Sequence, residues 1–250
     1  METGLKDRFL GLWKKYFGNE ELPITFFYSD ENGGAEYAAK PTGRSCLICE
    51  LKKVRNGMSL VFNADTVTCG GGKRYLGYAD NIRPGFEYFL SCGNESMEGE
   101  RYIRTPDMVN ELMKNMPSIS MKGKNIVFKR WDKLDEGDNP DVVIFFARAD
   151  VLSGLFTLAN FDQAEPNGTI TPFGAGCGSI VLYPYLESKK ERARAVIGMF
   201  DPSARPCVPA DILTFAVPMK RFERMIGYME ESFLITDTWV KVRKRIEQGQ

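Results

Sequence analysis

Residues 140–161 read "PDVVIFFARADVLSGLFTLANF". "DVVIFFARA" is a run of β-branched and aromatic residues and predicts a buried strand. The second half changes period. Leu152, Leu155, Phe156 and Ala159 recur at helical spacing, and Asp150 stands where an N-cap belongs. A buried strand followed at once by an amphipathic helix is the unit from which the other elements can be read.

Further strands are predicted at "ITFFYS" (24–29), "SLVFNAD" (59–65), "NIVFKRW" (125–131), "RAVIGMF" (194–200) and "ILTFAVP" (212–218). Residues 3–17 place Leu5, Phe9, Leu12, Trp13 and Tyr16 on one helical face, better suited to docking on the domain than to a membrane surface. "CLICELKKVR" (46–55) reads as strand or helix. The spacing of Leu47, Leu51 and Val54, with Asn56-Gly57 as a stop, favours helix. "TPDMVNELMKNM" (105–116) has Thr105 as cap, Pro106 at the first helical position and Val109, Leu112, Met113 and Met116 on its apolar face. Pro218 ends a strand and introduces a helix with Phe222, Met225, Ile226, Met229 and Phe233 inward. Asp237 is expected to cap a last one carrying Trp239, Val242 and Ile246. Strands and helices mix without strict alternation. This predicts an α+β fold: a mixed β-sheet with packed helices, the N- and C-terminal amphipathic helices docked on it. A single domain over 1–250 is expected. The charged turn "DKLDEGDNP" (132–140) is the best candidate subdivision, and Asp138 and Asp141 read as solvated turn residues.

Composition narrows the chemistry. Lys+Arg and Asp+Glu are 33 each, so the net charge is zero, and no nucleic-acid partner is expected. There is no histidine, which removes the commonest general base and metal ligand. No apolar run is long enough for a membrane span, and residues 1–20 lack the apolar stretch of a signal peptide. Six cysteines in 250 residues are not disulfide-dense. The expectation is a cytoplasmic protein with reduced thiols, and a homo-oligomer is compatible with it.

Two segments share one grammar, a cysteine followed by glycine at a helix start. "TCGGGKRYLG" (68–77) offers backbone N–H groups of Gly70, Gly71 and Gly72, with Lys73 and Arg74, to an anion. Consecutive glycines also allow a tight turn with positive φ. "FGAGCGSI" (173–180) places Cys177 between Gly176 and Gly178, where a helix dipole favours the thiolate. The structural alternative is that these glycines let a helix pack tightly on a strand. Arg205 and Cys207 in "FDPSARPCVPADILTF" (200–215) suggest an anion site, or an ordinary rigid loop. Cys46 and Cys49 have the spacing of a redox dithiol or half a metal site, but their apolar flanks favour two packed core thiols.

"TCGGGKRYLG", then "PDVVIFFARADVLSGLFTLANF", then a Gly/Cys helix start, then "DPSARPCVPADILTFAVP" resembles the uncharacterised prokaryotic family called domain of unknown function 169, over roughly residues 25–230. The order of the blocks is the specific part. The family's motif residues fall on Cys69, Gly70, Gly71, Leu76, Gly77, Pro140, Asp141, Cys177 and Arg205, and this chain departs from the pattern in placing Cys207 after Arg205. The resemblance implies relatives and no reaction.

Two function classes follow. In the first, both helix starts face one pocket that takes an anionic small molecule. Its candidate binding residues are Cys69, Gly70, Gly71, Gly72, Lys73, Arg74, Gly176, Cys177, Gly178 and Arg205. Cys69 and Cys177 are candidate soft-metal ligands, an iron–sulfur centre being a sub-case. In the second, the chain is a non-catalytic interaction or regulatory module and the Gly/Cys segments are structural. The catalytic residues and the cofactor stay unassigned.

Overall fold

The computed structural model describes residues 3–43, 45–80 and 83–249. In chain order it runs α1 (Thr3–Phe17), β1 (Ile24–Ser29), β2 (Glu36–Tyr37), α2 (Leu47–Arg55), β3 (Leu60–Phe62), α3 (Gly70–Tyr75), α4 (Phe86–Leu90), β4 (Gly93–Asn94), β5 (Met97–Glu98) and α5 (Pro106–Asn115). It continues with β6 (Asn125–Arg130), β7 (Val142–Ala147), α6 (Ala149–Asn160), β8 (Thr169–Ile170), α7 (Tyr183–Glu187), β9 (Ala195–Gly198), β10 (Leu213–Pro218), α8 (Met219–Tyr228) and α9 (Asp237–Gln248). A π-helical turn, Gly178–Leu182, leads into α7, and a short 3-10 turn spans Arg205–Cys207. Eight strands form one sheet in the order β2-β3-β6-β1-β7-β10-β9-β8. The pairs are antiparallel except β2–β3 and β8–β9, so the sheet is mixed and the fold is α+β.

The unbroken apolar run of β7 has a direct cause. Alternate residues of a strand face opposite sides. Val142, Ile144 and Phe146 enter a core with α2, α3 and α7, while Val143, Phe145 and Ala147 enter a second core with α1, α6, α8 and α9. Both faces are covered by helices, so no position in the strand can be polar. The predicted strands and the terminal helices take their expected places. α1 buries Phe9, Leu12, Trp13, Tyr16 and Phe17, and the Trp239 indole of α9 donates to the Tyr16 carbonyl at 2.9 Å. Thr236, one residue before the expected Asp237, caps α9, its side chain accepting from the Trp239 amide. Phe233 lies past the end of α8, in a 3-10 turn.

The helix α6 is rotated from its predicted face. Val151, Gly154, Leu155, Leu158 and Ala159 point inward, and Phe156 is 42% exposed. Asp150 sits inside the first turn and Arg148 takes the cap position. The closest approach of α9 and α1 selects this face. A Cβ at Gly154 would overlap the Trp239 ring and come 3.0 Å from Phe17 Cε1. Gly154→Ala is therefore expected to lower stability by about 1–3 kcal/mol in urea unfolding, as overpacking does.

The turn at 132–140 is not a solvated excursion. Lys129 on β6 is almost fully buried, and its Nζ reaches Asp135 and Asp138, each at 2.7 Å. Asp138 is itself buried, because it must neutralise that ammonium. Asp141 is half-buried. Its amide donates to the Phe26 carbonyl at 2.8 Å and its carbonyl accepts from the Met219 amide at 3.0 Å, which ties it into the sheet.

Candidate functional site

Three cysteines stand at helix starts on one face of the sheet. Cys46 is the N-cap of α2, Cys69 is the N-cap of α3, and Cys177 immediately precedes the π-helical turn. The three thiols act on one another electrostatically. Burial pushes the Cys177 thiol well above its ordinary value, and the neighbouring Cys69, Cys46 and Asp201 push it further. Burial also raises the Cys46 thiol, against the amides of Ile48 and Cys49, which favour its thiolate. The helix dipole expected to make Cys177 a thiolate is outweighed by desolvation.

Cys49 and Cys207 are not reduced core thiols. They are joined in a disulfide across 158 residues, which corrects the expectation of reduced thiols throughout and of two packed thiols at the C-x-x-C. Cys46, Cys69, Cys92 and Cys177 stay free. Arg205 explains how Cys207 is delivered. Its guanidinium donates to the carbonyls of Met199, Pro209, Ala210 and Ile212, at 3.4, 3.2 and 2.6 Å for the first three. It holds the 199–212 loop in shape, so the ordinary rigid-loop reading describes it better than an anion site.

The two Cys–Gly segments, about a hundred residues apart, do pack together. α3 lies against the π-helical turn. A Cβ at Gly178 would stand 3.3 Å from the Tyr75 ring, and one at Gly71 would stand 3.7 Å from the other side chain atoms of that ring. The Tyr75 ring therefore fills the space between the segments, with its hydroxyl 3.4 Å from Met116 Sδ. Gly176 is just as close-packed: a Cβ there would lie 3.0 Å from Ala204 Cβ and 3.2 Å from Met199 Sδ. Its amide is satisfied by Asp201 Oδ2 at 3.1 Å. None of Gly70, Gly71, Gly72, Gly176 or Gly178 has positive φ. In this segment that conformation belongs to Gly77, at φ +83°. The glycines thus work by closeness of approach, and Gly70 alone of the first three faces open space. Among the described residues no group of three or more Cys, Asp or Glu is arranged to hold a metal ion, and Cys69 and Cys177 supply two.

The other end of α3 is different. Arg74 is buried, yet it borders a pocket of about 320 Å³ together with Arg83, Glu87, Asn110, Met113 and Lys114. Its Nη1 donates to the Asp80 carbonyl. Its Nε has no hydrogen-bond partner among the described residues. Lys73 is half-buried beside it. A second, larger cleft of about 1010 Å³ runs past Asp141, Lys189, Asp162 and Arg221. Burial raises the Asp141 carboxyl, and Lys189 at 3.8 Å opposes that rise.

The disulfide and the pocket were both missed from sequence. Arg83 lies in the loop before α4 and Asn110 and Lys114 sit one turn apart on α5, so only the fold brings them to the Arg74 end of α3. The Cys49–Cys207 link left only an even cysteine count as a signal. Residues 14–227 match the family described as uncharacterised ArCR, the domain of unknown function 169, and the chain belongs to that family. Comparison with curated proteins and with solved structures returned no match.

Proposed function

We propose that this chain binds a small anionic molecule, and that the anion is received in the pocket at the Arg74 end of α3. The observation that carries the reading is the Nε of Arg74, which has no partner among the described residues, in a residue only 8% exposed, bordering a cavity. A buried donor without an acceptor is costly, and a carboxylate or phosphate supplies one with matching geometry. Arg74, Arg83 and Lys114 set three cations against the single carboxylate of Glu87. Val109, Met113 and Phe86 add apolar surface, which suits an anion carrying a hydrocarbon or aromatic body. The thiol cluster is near. Cys69 precedes the six-residue α3, about 8 Å along the axis from Arg74. No reaction is assigned to the site.

The test is native mass spectrometry of the freshly purified chain beside Arg74→Met. A co-purifying anion is expected on the wild type. Loss of a charge-assisted hydrogen bond is expected to weaken it about tenfold or more in the variant. A bare wild-type mass, or equal occupancy in both, refutes the reading. The second reading, a non-catalytic module with structural Gly/Cys segments, is favoured by the packing of Gly176 on Ala204 and Gly178 on Tyr75. It expects Arg74→Met to leave every binding property unchanged.

A further inference from the structure

The C-x-x-C and the cross-link lie outside the anion pocket and form a group of their own. α2 is a nine-residue helix with Cys46 as its N-cap and Cys49 one turn on. The Cys49 amide donates to the Cys46 carbonyl at 3.1 Å, which holds the two residues in the first turn. Cys49 is solvent-exposed, although its sulfur is bonded to Cys207. Cys207 is half-buried in the 3-10 turn that packs on α2. Cys46 is a free, half-buried thiol three residues before Cys49.

A structural disulfide is ordinarily protected by having no thiol beside it and no route for one to arrive. Here both protections are missing. Cys49 is an exposed residue at the surface of α2, and a second cysteine of the same chain stands one helical turn away. The helix N-terminus sets the Ile48 and Cys49 amides against Cys46, which partly offsets the rise that burial imposes on this thiol.

We infer that Cys46, Cys49 and Cys207 form a thiol–disulfide exchange centre, with Cys49 as the sulfur attacked by an external thiol and Cys46 as the resolving thiol. In the first step a thiolate RS⁻ attacks Cys49 Sγ. The Cys49–Cys207 bond breaks, Cys207 leaves as a thiolate and takes up a proton, and a mixed disulfide joins Cys49 to R. In the second step Cys46 gives up its proton to water and attacks Cys49 Sγ. RS⁻ leaves, and a Cys46–Cys49 disulfide remains. One S–S bond is exchanged for another at each step, so no net electrons are gained or lost and no oxidant is needed. The thiol consumed first is returned at the end. The structural consequence is that the 199–212 loop loses its covalent tie to α2.

Disulfide mapping of the full chain tests this, with cysteamine as the probe and acid to quench exchange. Before cysteamine, the Cys49–Cys207 link is expected. After it, the Cys46–Cys49 link is expected to replace the original in the wild type. In Cys46→Ser the probe is expected to stay on Cys49, with an adduct about tenfold more abundant than in the wild type, because the resolving step is gone. Should Cys46→Ser not fold, Cys46→Ala carries the same comparison, and the wild-type map stands alone. The inference is overturned if Cys49 and Cys207 are found unlinked before treatment, if no Cys46–Cys49 bond forms, or if adduct levels are the same with and without Cys46.

Discussion

Asp138→Ala is expected to lower the stability of the folded chain by about 3–5 kcal/mol, the cost of stranding a buried charge. Lys129 is 1% exposed, and its ammonium sits between Asp135 and Asp138. Asp135 is largely in water, so Asp138 is the partner that shares the low-dielectric environment. Its carboxylate also accepts from the Asp135 amide at 2.7 Å and so shapes the turn. Removing it leaves the ammonium half-paired inside the protein. The mechanism has a second consequence. Lys129→Met with Asp138→Leu removes both charges and restores packing, and is expected to recover most of the loss. Urea midpoints of wild type, single and double variants decide it. A single variant within about 1 kcal/mol of the wild type, the range of a surface ion pair, would show that the pair is solvated after all.

Glu187→Gln is expected to cost about 1–3 kcal/mol at neutral pH, because charge-assisted hydrogen bonds to a buried carboxylate are lost while Lys190 and Arg194 keep access to water. Glu187 is buried at the end of α7. Its carboxylate accepts from Lys190 Nζ at 2.6 Å, from the Arg194 amide at 3.0 Å, and from Arg194 Nε and Nη2 at 3.2 and 2.8 Å. Burial pushes this carboxyl up, but the bonds from Arg194 and Lys190 outweigh it and hold the group below its ordinary value. The sign follows from proton counting. In the window between the lowered and the ordinary value the unfolded chain binds more protons than the folded one. The stabilisation is therefore fully present above the ordinary glutamate value of about 4.3 and is lost as pH falls through the lowered one. The wild-type advantage over Glu187→Gln should be constant near neutrality and shrink in acid. An advantage that grows as pH falls is inconsistent with this network.

The buried strand–helix pair at 140–161 was legible because hydrophobic period reports burial directly. Covered faces leave no polar position in β7, and the caps at Thr105 and the proline entries at Pro106 and Pro218 mark boundaries by local chemistry. The face of α6 was not legible, since Leu152 and Phe156 satisfy helical spacing as well as Val151 and Leu158 do. Only the approach of Trp239 to Gly154 chooses between them. The same holds for the acidic turn. "DKLDEGDNP" has the composition of a solvated loop, and nothing local shows that Lys129 needs a carboxylate. At the candidate site the two Cys–Gly segments were found by their shared grammar. Their filling by Tyr75 was not, because an aromatic ring at the end of a short helix carries no sign of where it will lie.

The sheet ends on both sides in strands of two residues, β2 and β8, each paired in parallel with its neighbour. An edge that short offers almost no row of free amides and carbonyls for another chain to copy. Self-association by extending the sheet, the usual route from a folded β-rich domain to fibrils, has no template here. A second copy of this chain would have to meet helix surfaces instead. The brevity of the outermost strands then acts as protection against misassembly while the long central strands stay sheltered inside.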